Sequence, residues 1–144
     1  MLTMKYITDI HALNLPCALG TTGDWHTSSL QWTHPRMLES STSVFGDWGI
    51  EKNKNVPPLG NKKYAVANHI RALLDMLVQN RFTVAQGMNG TFIDNSCYDN
   101  VIFNKVLLLK PCSNWENIDK FMTQEYKMKW LKFKKGLGNA STVK

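Results

Sequence analysis

The most regular pattern lies near the C-terminus, where Trp115, Ile118, Met122, Tyr126, Trp130 and Phe133 recur every three or four residues. That spacing draws one apolar stripe along a helix and leaves the other positions to solvent. Ser113 and Glu116 stand at capping-box spacing, which predicts reciprocal side-chain bonds to the unpaired N–H groups of the first turn. Gly136 is the expected stop, and 137–144 are small and polar, which predicts a flexible tail.

Two further stripes predict helices. Val66, Ile70, Leu73, Leu74 and Leu77 define one over 62–80, with His69 and Arg71 expected at its solvated edge. Tyr98, Ile102, Val106 and Leu109 define another over 98–109, closed by Pro111. Between them, Phe82 to Met88 reads as a strand.

Upstream the period shortens. Tyr6, Ile7 and Ile10 suggest a strand, and Pro16 bars a helix from continuing through 5–19. The stretch Trp25–Trp32 is aromatic and β-prone. Val44-Phe45 and Trp48 to Ile50 flank Gly46-Asp47, a two-residue turn signal for a tight hairpin. The Lys-, Asn- and Pro-rich stretch 51–61 reads as an internal surface loop. It is not taken as a domain boundary, because neither half would bury enough surface alone. The expectation is a single α+β domain over 1–144, with a small N-terminal antiparallel sheet packed against about three helices.

Composition agrees with a globular chain, at 43% hydrophobic and 19% charged. Cys17, Cys97 and Cys112 are spaced as neither a disulfide framework nor a zinc motif. Reduced thiols and a cytoplasmic location are therefore expected. No apolar run is long enough to span a membrane. The net charge of +6 is uneven: 1–60 hold four Lys/Arg against five Asp/Glu, and 61–144 hold thirteen against six. Such asymmetry points the second half toward an anionic partner.

Lys127, Lys129, Lys132, Lys134 and Lys135 concentrate that charge within nine residues. Cations near a helix C-terminus meet the negative end of its dipole, but five exceed that need and suggest an anion-binding surface. Trp25 and Trp48, from an aromatic patch, are candidate stacking residues. The expected function is therefore a small basic interaction protein. Its partner would be a polyanion, either nucleic acid or an acidic protein surface, including the nucleic-acid-facing side of a nucleoprotein. A short, basic, motif-poor chain is also the profile of mobile-element accessory proteins. The alternative is a nuclease or hydrolase, with or without a metal, built on His11, Asp24 and His26. Asp9-Ile10-His11 and Asp24-Trp25-His26 would each aim an acid and an imidazole the same way on a strand. No tightly spaced metal, phosphate-loop or nucleophile-elbow motif accompanies them, so no cofactor is expected, and Cys17, Ser28 and Ser29 carry no nucleophile signature.

Overall fold

Tyr6 and Ile7 are fully buried in the first strand, β1 (Lys5–Ile7), and the domain assembles around them. A computed structural model of the chain describes residues 4–21, 23–26, 30–93 and 96–143. The other strands are β2 (Met37–Glu39), β3 (Ile50–Asn55) and β4 (Lys63–Ala67). They form one sheet in the order β2-β1-β4-β3. β2 lies antiparallel to β1, with Tyr6 opposite Leu38, and β3 lies antiparallel to β4, with Ile50 opposite Ala67. The central pair β1 and β4 is parallel, Ile7 opposite Val66, so the sheet is mixed.

The helices are α1 (Asp9–Ala12), α2 (His69–Val78), α3 (Phe82–Ala85), α4 (Met88–Thr91), α5 (Asp99–Leu107), α6 (Trp115–Tyr126) and α7 (Met128–Val143). α2 is the hub, buried on every side from His69 to Leu77. The fold is thus α+β, as the patterns indicate, and α5 falls where its stripe places it.

Several local expectations are overturned. The segment expected as the first turns of a 62–80 helix is β4, because Val66 pairs with β1 and β3 before the helix begins. Asn68 makes the switch, its Oδ1 accepting from the Arg71 backbone N–H at 2.8 Å. Within 51–61, residues up to Asn55 form strand β3, held by pairing to β4. The stretch 82–88 is helical at α3, not a strand. Trp25 and His26 lie in a turn instead of a strand, and 27–29, including Ser28 and Ser29, fall outside the described residues.

His69 and Arg71 are fully buried, not at a solvated edge. Arg71 explains why 44–50 makes no hairpin. Its guanidinium donates to the carbonyls of Gly46 (2.9 Å) and Trp48 (2.5 Å), to the Tyr6 hydroxyl (2.9 Å) and to Asp75 (3.1 Å). The Gly46–Trp48 turn is folded around a cation instead of back on itself. Gly49 is needed beside it: its φ is +76°, and an added Cβ would stand 2.8 Å from the Arg71 Cβ. Asp75 completes the network by accepting from the Tyr6 and Thr8 hydroxyls, both at 2.7 Å. Every member of this buried cluster is therefore partnered, as a charge taken out of water requires.

The C-terminal stripe is real but spans two helices. Lys127 takes φ +54° and ψ −125°, which ends α6 and redirects the chain into α7. Trp130 then folds back, its Nε1 donating to Asp119 at 2.8 Å. On one straight helix those residues would stand about 16 Å apart along the axis, so the break is what lets the indole be fully buried. Phe103 packs its ring against Tyr126, Trp130 and Phe133 from the opposing α5. Gly136 does not stop α7, whose backbone passes it into the stretch expected as a tail. The capping box does not form either. Asn114 occupies the N-cap without a capping bond, and its amide donates to the carbonyls of Leu77 (2.9 Å) and Val78 (3.4 Å) at the end of α2.

Candidate functional site

The lysine cluster divides by helix geometry. Lys129, Lys132 and Lys135 step by three along α7, sharing the arc that faces away from Trp130, and all three are exposed. Lys127 is exposed at the break. Lys134 lies on the Trp130 side, where it donates to Asp119 at 2.7 Å and sits 5.3 Å over the Trp130 ring. Lys134 therefore fastens α7 to α6, and its charge is largely spent. Burial pushes the Asp119 carboxyl up, but hydrogen bonds from Lys134 and Trp130, with the positive charges of Lys134 and Lys110, bring it below its ordinary value.

The acids near the ladder are largely engaged. Glu125 accepts from the backbone N–H groups of Gly87 (3.0 Å) and Asn89 (2.8 Å), holding the start of α4. Asp99 approaches Lys129 at 3.4 Å, a contact with Lys129 59% exposed and therefore weak. Among the described residues, Lys127, Lys132 and Lys135 have no ion pair.

The stacking candidates are both half-buried. Trp25 donates its Nε1 to the Val84 carbonyl at 2.7 Å and packs edge-on to Phe92. Trp48 carries the Lys105 ammonium 4.4 Å over its ring. Each indole thus has a packing role that sequence alone does not reveal.

The His/Asp set disperses. His11 is buried, with Nε2 bonded to the Gln31 carbonyl at 2.7 Å and Nδ1 accepting from the Arg36 backbone N–H at 3.1 Å, so both ring nitrogens serve the fold. Asp9 is clamped by Arg81 through bonds of 3.0 and 3.2 Å, with Arg36 at 3.4 Å. Asp24 and His26 are exposed in their turn. Among the described residues no three His, Cys, Asp or Glu side chains converge to hold a metal ion. A cleft of 340 Å³ does open between the end of β1 and β2, lined by Thr8, Asp9, Arg36, Leu38, Asp75 and Gln79. Its two carboxylates are already neutralised by arginines, so it presents little unpaired charge.

One cluster has no counterpart in the sequence motifs. The parallel strand β4 delivers the N-terminus of α2 against the loop 15–21, where His69 meets Cys17 and Thr21. His69 Nε2 is bonded to the Leu15 carbonyl at 2.7 Å, and Nδ1 is bonded to the Thr21 hydroxyl. That hydroxyl lies 3.7 Å from the Cys17 sulfur. Phe92 packs on the imidazole with ring centroids 5.0 Å apart. Burial raises the Cys17 thiol, but the side-chain hydrogen bond and charge of His69, aided by the backbone N–H groups of His69 and Leu19, bring it down to about 7. The participants lie up to 54 residues apart, which is why no spacing motif exposes them.

Compared with protein-family models, curated proteins and solved structures, the chain matches none. Among the described residues, no helix is long and apolar enough to cross a membrane.

Proposed function

We propose that the protein binds nucleic acid through phosphate contacts made by Lys129, Lys132 and Lys135, with Lys127 at the head of the same segment. One observation carries this reading: three exposed ammonium groups in a single ladder on α7, opposite a face committed to the core by Trp130. The ladder runs about 9 Å along the helix axis, roughly the rise of three nucleotides on one strand. With Trp25 and Trp48 tied into the fold, base stacking contributes little, so binding is backbone-directed and tolerant of sequence.

The test is fluorescence anisotropy with labelled duplex and single-stranded DNA, comparing the wild type with a Lys129→Glu, Lys132→Glu, Lys135→Glu triple variant. Binding at low salt that the triple variant abolishes, with an unchanged thermal melt, supports the reading. No binding by the wild type, or equal binding by both proteins, overturns it. Capture of polyglutamate in preference to DNA would assign the ladder to an acidic protein instead.

A further inference from the structure

The Cys17 cluster has a use independent of the lysine ladder. A thiolate is the reactive form of cysteine, and it is favoured at helix N-termini and beside imidazoles. Cys17 has both. It faces the first residue of α2, a helix of ten residues whose N-terminal dipole end is positive. His69 stands beside it, fully buried and held on both nitrogens, so the imidazole cannot turn away. The sulfur itself is only half-buried, in a loop drawn tight by the Gly20 N–H bonding the Cys17 carbonyl at 3.2 Å.

We infer that Cys17 is a nucleophilic thiolate that undergoes exchange with small disulfides. The substrate class follows from His69. Acyl transfer to an amine or alcohol needs an imidazole able to protonate the leaving group, and this ring has both nitrogens engaged. A disulfide releases a thiolate, which needs no general acid. The Cys17 sulfur attacks one sulfur of RSSR, and a new S–S bond forms as the old one breaks. RS⁻ departs with the electron pair and takes a proton from water. Other charged or titratable groups near the loop are few. Glu51 accepts from the Ala18 N–H at 2.8 Å and is paired with Lys54 at 3.1 Å, and the Tyr98 hydroxyl bonds the Leu19 carbonyl at 2.6 Å.

Oxidised glutathione is the probe, with adducts located by peptide mapping and Cys112, also half-buried, as reference in the same chain. The rate at Cys17 should rise to half its maximum near pH 7. An ordinary thiol does so near pH 8.5. At pH 7 the gain in thiolate outweighs the lower nucleophilicity of a more acidic thiol, leaving Cys17 roughly three- to fivefold faster than an equally accessible ordinary thiol. His69→Asn should move the midpoint upward. Should that variant not fold, Thr21→Val, which removes the bridging hydroxyl, and the wild-type profile decide. A Cys17 midpoint at or above pH 8.5 in the wild type, or labelling at Cys112 in preference to Cys17, overturns the inference.

Discussion

Trp130 and Asp119 are eleven residues apart in sequence and joined by a 2.8 Å hydrogen bond from the indole Nε1 to the carboxylate. This contact sets the angle between α6 and α7, and with it the direction in which Lys129, Lys132 and Lys135 point.

Removing the indole should therefore be costly. Trp130→Ala deletes a fully buried side chain in contact with Phe103 and Phe133 and should cost about 3–5 kcal/mol. Chemical denaturation would measure it, and an unchanged midpoint would show that the ring lies outside the core.

The same contact should respond to acid. The Asp119 carboxyl is held below its ordinary value, so its contribution is present above the unfolded carboxylate range and disappears as pH falls through the depressed folded value. Asp119→Asn should flatten the acid limb of the stability profile, as read by melting temperature between pH 6 and 2. If wild type and variant lose stability in parallel over that range, the pairing contributes nothing.

Asn114 and Ser113 make opposite predictions under the two descriptions of this helix start. The Asn114 amide satisfies terminal carbonyls of α2, so Asn114→Ala should cost roughly 1 kcal/mol. Ser113 is exposed and outside the N-cap, so Ser113→Ala should fall within about 0.5 kcal/mol of wild type. Paired thermal melts would distinguish them, and the reverse ranking would restore the capping box.

Arg71 and Asp75 should be strongly interdependent. Burial pushes the Asp75 carboxyl up against the opposing pull of Arg71 and the Thr8 and Tyr6 hydroxyls. Removing one partner strands the other in the core, so Arg71→Met should cost about 3–5 kcal/mol. A double-mutant cycle with Asp75→Asn should then return a coupling energy well above zero, and additive losses would refute the network.

The lysine ladder gives a graded prediction. On duplex DNA each phosphate contact adds about 0.9 to the slope of log K against log salt. Neutralising Lys129, Lys132 and Lys135 to Gln should reduce that slope by up to about 2.7. A slope unaltered by the triple change would place the binding charge elsewhere.

Hydrophobic periodicity by itself determined that α2, α5 and α6 are helices, that Trp130 belongs to the core, and that the basic charge gathers near the C-terminus. These are local or one-dimensional properties, set by which residues recur on one face. The tertiary structure decided what each polar residue is for. Arg71 and His69 look like helix-edge residues in the sequence, yet they are buried because partners from the first fifty residues meet them there: Leu15 and Thr21 for His69, Tyr6, Gly46 and Trp48 for Arg71. Gly46-Asp47 resembles a hairpin turn until a guanidinium demands its carbonyls, and Ser113 resembles a cap until Asn114 is drawn to the end of α2. Cys17 reads as an ordinary thiol until β4, running parallel to β1, brings the start of α2 against its loop. Periodicity along a chain reports which side faces the core, whereas hydrogen-bond partners and charges are chosen by approach through space, and that distance is not written in sequence spacing.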